Sequence, residues 1–133
     1  MSIKDKYLIN ESESLLSALK RLNEFGSSDS LTLFVIDNQA QLVGTITDGD
    51  IRRQLVNNCP LNSPLYKVMH SNFRYLKQGE INIHKLHQYK EEEITLIPIL
   101  DEKKHIVDII NLKTHRSYPV SYTHLTLPTI RLV

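Results

Sequence analysis

The run Gly44-Thr45-Ile46-Thr47-Asp48-Gly49-Asp50-Ile51-Arg52-Arg53 holds the residue types and spacing best suited to chemistry in this chain. A strand delivers the backbone into a tight turn at Asp48-Gly49, and a helix opens at once. The first amides of a helix have no intrahelical acceptor and its dipole is positive there, so an anion such as phosphate is favoured. The Thr47 hydroxyl offers a donor to a phosphate oxygen. The Asp50 carboxylate, one short turn on, can accept both hydroxyls of a ribose, and Arg52 and Arg53 bring positive charge to the phosphate end. The same residues also read as plain architecture, with Thr47 or Asp48 capping the helix and the arginines solvated. By themselves the residues leave both readings open.

Several elements must position this run. Asn10 and Glu13, three apart, have the form of a capping box. Leu15, Ala18, Leu19, Leu22 and Phe25 then recur at helical spacing, with Gly26 as the stop. Leu31 to Asp37 is short and rich in β-formers, Asn38-Gln39-Ala40-Gln41 is a hairpin turn, and Leu42 to Thr47 is the partner strand. From Asp50 a second helix runs to Asn57-Asn58. The unit is helix, strand, strand, helix.

A shift of 64 positions brings the unit round again. Leu19, Leu22 and Phe25 fall on Ile83, Leu86 and Tyr89; Asp37 falls on Asp101, Leu42-Val43 on Ile106-Val107, and Arg52 on Arg116. No gap is needed from Leu19 to Arg52, which marks an internal duplication. Residues 1–58 form the first repeat, 59–72 a turn-rich connector through Cys59-Pro60 and Ser63-Pro64, and 73–118 the second repeat. Each unit alone would expose one apolar face of its sheet. Packing the two sheets together buries both and leaves clefts near the strand-to-helix turns.

Composition narrows the function. Sixteen Lys and Arg stand against fifteen Asp and Glu, which argues against a broad nucleic-acid surface. One cysteine, Cys59, cannot form an internal disulfide and suits a reducing, cytoplasmic setting. No segment reads as a membrane span or signal peptide. His84 and His87 share a helix face but lack further ligands at metal spacing. Cys59 has no partner base, Lys90-Glu91-Glu92-Glu93 reads as a solvated helix end, Lys103-Lys104 as a hairpin tip, and Met69 and Phe73 as packing against a sheet. With no nucleophile–base pair, metal set or phosphate-cradling loop, the chain is read as non-catalytic.

Helix, strand, turn, strand and then Gly-x-x-Thr-x-x-Asp opening a helix, in tandem, resembles a pair of CBS domains (a Bateman module). The resemblance spans residues 7–118 and implies an α+β fold, two repeats packed sheet to sheet about a pseudo-two-fold axis. It also implies regulatory binding of an adenine or related nucleotide, no other cofactor, and a homodimer. Its motif falls on Gly44, Thr47 and Asp50, with Asp48, Arg52 and Arg53 beside them. The second repeat departs from the motif: Asp108 stands for the glycine, Asn111 for the threonine and Thr114 for the aspartate. Asn111, Thr114 and Arg116 would form a degenerate site at best, since a threonine cannot offer a ribose two charged acceptors. The wording Thr-Asp-Gly-Asp-Ile-Arg-Arg resembles CBS pairs attached to sugar-phosphate enzymes. Nucleotidyltransferases similar to mannose-1-phosphate guanylyltransferase are favoured as the parent, with arabinose-5-phosphate isomerase, or a ligand-free dimerisation module, as the alternatives.

Residues 119–133 fit neither family. Val120-Ser121-Tyr122-Thr123-His124-Leu125-Thr126-Leu127-Pro128-Thr129 resembles the translation of a transposase-type sequencing adapter. The expectation is a chain whose catalytic domain is missing and whose second repeat lacks its closing helix.

Overall fold

A computed structural model of the chain describes residues 5–27, 29–80, 82–114 and 116–117. The elements are β1 (Leu8–Asn10), α1 (Leu15–Asn23), β2 (Thr32–Ile36), β3 (Leu42–Thr47) and α2 (Asp48–Val56) in the first half. The second half holds β4 (Leu76–Lys77), α3 (Ile83–Glu91), β5 (Leu96–Leu100), β6 (Ile106–Asn111) and β7 (Arg116–Ser117). They build two small mixed sheets, β1-β2-β3 and β4-β5-β6-β7. In each, a short first strand runs parallel to the leading strand of an antiparallel hairpin. The fold is α+β, as expected.

Side-chain alternation along the strands sorts the core into three parts. Leu33 and Val35 of β2 face α1 and α2 and pack with Ile9, Leu15, Ala18, Leu22, Ile46, Ile51 and Leu65. Phe34, between them, faces the other way. It joins Tyr7 and Leu42 against Leu96, Leu100, Ile106 and Ile109 of the second sheet. On the far side Ile97 and Ile99 pack with Leu76, Tyr89 and Leu112. The two sheets therefore share a middle layer of core, and each has its own outer one.

The duplication is sharpest in the hairpins. Leu33 pairs with Ile46, their counterparts Ile97 and Ile110 pair in the same way, and each hairpin shifts register at the equivalent step. Asp37 accepts the Gln39 and Gln41 amides at 2.9 Å, and Asp101 does the same for Lys103 and His105. Ala40 and Lys104 take the left-handed conformation these turns demand, with φ of 61° and 68°. The two tips also grip each other. Leu42 N–H donates to the Lys104 carbonyl, the Gln41 side-chain amide to the Lys103 carbonyl, and His105 Nε2 meets the Gln39 carbonyl at 2.9 Å.

Outside the hairpins the ungapped register fails. Leu15, which opens α1, would fall on Gly79, yet α3 begins only at Ile83. Residues 92–95 alone then separate α3 from its strand, where the first repeat uses 24–31. The start of α1 also differs from expectation. Its cap is Ser14, whose Oγ accepts the Ser17 amide at 3.1 Å. Asn10 is instead the last residue of β1, held extended by pairing with β2, and its Oδ1 turns the chain by accepting the Ser12 amide and hydroxyl. Helix α1 ends at Asn23, and the Gly26 amide beyond it is caught by the Asp29 carboxylate at 2.7 Å.

The connector does not hang between the repeats. Leu65 is fully buried in the first core. The Leu65 and Tyr66 amides donate to the carbonyls of Glu13 and Glu11, while Leu15 and Leu16 donate to Ser63 and Leu61. Further on, Thr45 and His70 exchange both backbone hydrogen bonds at 2.9 Å, so the connector runs along the free edge of β3. Met69 packs on the first core and Phe73 on the shared one, in line with the sequence.

Candidate ligand cleft

Helix α2 starts two residues earlier than the sequence suggests. Asp48 and Gly49 are its first residues, not a turn before it, and Thr47 is the cap. Thr47 Oγ1 accepts the Asp50 amide at 3.2 Å and the Asp50 carboxylate accepts the Thr47 amide at 2.9 Å, a reciprocal capping box. The other Asp50 oxygen takes Arg53, and His70 Nε2 lies 3.2 Å from it. Only 7 % of Asp50 is exposed. Burial by itself would push its carboxyl up; the Thr47 amide, the Thr47 side chain, Arg53 and His70 outweigh that and hold it below the ordinary value. Asp50 thus stays ionised, with three partners already in hand.

Gly44 has a packing role. A Cβ there would sit 2.5 Å from Met69 Sδ, 2.7 Å from its Cγ and 2.9 Å from the His70 carbonyl oxygen. The glycine lets the connector lie flat on β3. Arg52 reaches back one turn to Asp48 and its side chain is largely in solvent.

A cleft of about 480 Å³ opens beside this helix start. Its walls come from both repeats: Thr45, Thr47, Asp48 and Gly49, the chain entering β2 at Ser30 to Thr32, and Glu93 to Leu96 entering β5. The connector closes it with His70 and Asn72, followed by Phe73 and Arg74 at the start of the second repeat. Of the residues singled out in the sequence, Thr47 and Asp48 line the cleft. Gly44, Asp50, Arg52 and Arg53 are not among the lining residues. The connector residues escape sequence reasoning because nothing local marks them; only the bridge to Thr45 brings them to the site.

The equivalent end of the second repeat is built differently. Asn111 is buried, and its Oδ1 accepts the Lys113 and Thr114 amides at 2.9 and 3.1 Å. It copies the capping gesture of Thr47, but the chain then folds back, and β7 pairs with β6 through Arg116 opposite Asn111. Lys113 and Leu112 line a smaller hollow of about 320 Å³ with Lys90 and Glu93 to Thr95. The wider concavity of about 530 Å³ lies near the tip of the second hairpin, among Leu42, Tyr75, Lys77 and Lys104, away from either strand-to-helix junction. Residues 118–133, including the adapter-like string, lie outside the described residues.

Residues 2–57 match the family model of the CBS domain. The CBS pair of protein MJ0100, solved with 5′-methylthioadenosine and S-adenosylmethionine, superposes with a TM-score of 0.64 at 23 % identity, over 80 % of this chain and 81 % of that one. This chain folds as a tandem CBS pair. The cytosolic domain of the Mg²⁺ channel MgtE, solved with ATP, shares the fold with a TM-score of 0.64 at 15 % identity, over 81 % of this chain and 43 % of that one. In sequence the chain is 30 % identical over 100 residues to arabinose 5-phosphate isomerase GutQ of Shigella flexneri. That match takes in 75 % of this chain but only 30 % of the isomerase. No helix among the described residues is long and apolar enough to cross a membrane.

Proposed function

We propose that this CBS pair is a regulatory module that binds an adenine nucleotide or a related nucleotide in the cleft beside Thr47 and biases a sugar-phosphate enzyme. The observation that carries the reading is the cleft itself, walled by both repeats at the strand-to-helix junction that keeps the Gly-x-x-Thr-x-x-Asp order. Solved structures that share this fold are complexes with methylthioadenosine and S-adenosylmethionine or with ATP, which supports a ligand with an adenosine body. A ligand regulates only through its different affinity for two states of the assembly, and a cleft shared by both repeats and the connector can supply that difference.

For the parent enzyme, the sequence wording points first to a nucleotidyltransferase. The curated match is with a sugar-phosphate isomerase instead, and the isomerase is the partner we adopt. The module itself is read as non-catalytic, as a cytoplasmic homodimer, and without nucleic-acid or membrane partners. Thermal unfolding tests the reading. An adenine nucleotide at a hundredfold excess over its Kd contributes about 2.7 kcal/mol and should raise the Tm by roughly 8 °C. No rise with any adenine or guanine nucleotide would overturn it.

One observation favours a second reading, a dimerisation module with empty clefts: the Asp50 carboxylate is already occupied by Thr47, Arg53 and His70. Sedimentation would then show self-association indifferent to added nucleotide.

A further inference from the structure

The nucleotide reading, on which this inference rests, leaves open which cations meet the phosphate. Arg52 and Arg53, expected there from the sequence, are absent from the cleft lining and are held by Asp48 and Asp50. Among the described residues two other basic side chains line it, both from the connector side. His70 has its backbone fixed by two hydrogen bonds to Thr45, yet 63 % of its side chain is exposed. Arg74 is half-exposed, with Nε 3.1 Å from Glu92 Oε1. Each is therefore anchored by its main chain or neighbours, reaches the cleft, and is held for now by a carboxylate.

Those carboxylates can release them cheaply. Asp50 keeps the Thr47 amide and Arg53 when His70 turns away. Glu92 keeps the Gln88 side-chain amide at 3.1 Å when Arg74 turns away. We infer that His70 and Arg74 are the phosphate-contacting residues of the cleft, exchanging Asp50 and Glu92 for the phosphate of the bound nucleotide. Thr47 and Gly49 line the same cleft, and its carboxylates are Asp48, tied to Arg52, and Glu93. The ligand class is then a nucleotide carrying its phosphate on the connector side, and the nucleoside alone gains nothing from these two residues.

A phosphate is an ionised acceptor, and hydrogen bonds to it outweigh those between neutral groups. Removing either residue should therefore weaken ligands that carry a phosphate and spare the nucleoside. Calorimetric titration of wild type, His70→Gln and Arg74→Gln with AMP, ATP and adenosine at one fixed pH reads this out. The expected loss in His70→Gln is about fivefold for AMP and ATP and none for adenosine. Arg74→Gln should weaken AMP and ATP similarly and again spare adenosine. An equal loss for adenosine, or no loss for AMP and ATP, would overturn the inference while leaving nucleotide binding intact. Wild type that binds none of the three would overturn the nucleotide reading itself.

Discussion

Asp50 shows how one residue can serve structure and still set up function. Its carboxylate completes the cap of α2, holds Arg53 and steadies His70 at the cleft. Its type and position are legible in the sequence; its company is not, since His70 lies far along the chain and reaches it only through the connector. Because the folded carboxyl sits below its ordinary value of 3.8, its contribution is full above that pH and is lost as pH falls through the lower folded value. Asp50→Asn keeps an acceptor for the Thr47 amide but gives up the charge on Arg53 and His70. Urea titrations should find it about 1 kcal/mol less stable than wild type near neutral pH, with the gap narrowing towards pH 3. A gap of the same size at both pH values would mean that charge on Asp50 does not stabilise the fold.

Among the elements, the antiparallel hairpins are readable almost to the residue, because β-formers bounded by Asp and a polar turn leave little choice. Helix starts are not. The Asn10–Glu13 pair has the form of a capping box, yet β1 claims Asn10 for pairing with Ile36 of β2, a contact too distant in sequence for any local pattern to record. The parallel strands β1 and β4 are only three and two residues long, too short to announce themselves. The connector is the other hidden element, and Gly44 is the contact on which it rests. Gly44→Ala would drive a Cβ into the Met69 side chain and the His70 backbone; the methionine can move aside, the carbonyl cannot without lifting the connector from β3. The expected cost is about 1–3 kcal/mol, seen as a lower urea midpoint, together with weakened nucleotide binding because His70 is displaced. An alanine variant as stable as wild type would show that the connector is not seated on β3.

The middle core layer decides whether the two repeats are separate domains or one folding unit. Phe34 and Leu42 of the first sheet share it with Leu96, Leu100, Ile106 and Ile109 of the second, and the interlocked hairpin tips add hydrogen bonds in both directions. Neither sheet can keep its inner face dry without the other, so stability should be a property of the pair. Among the described residues the outer layers are unequal. In the first repeat α1 and α2 both cover the sheet, while β6 is followed by a turn and β7 rather than by a counterpart of α2. If the repeats were independent, the second would melt first. Phe34→Ala removes a fully buried ring from the shared layer and should cost about 3–5 kcal/mol. Amide resonances then discriminate, with Val35 reporting the first outer core and Ile97 the second. Across a urea titration both should lose intensity at one midpoint, in wild type and in Phe34→Ala alike, with the midpoint moved down in the variant. Two separated midpoints, with Ile97 unmoved by the substitution in the first sheet, would mean that the shared layer does not couple the repeats, and a ligand bridging them could not act on both at once.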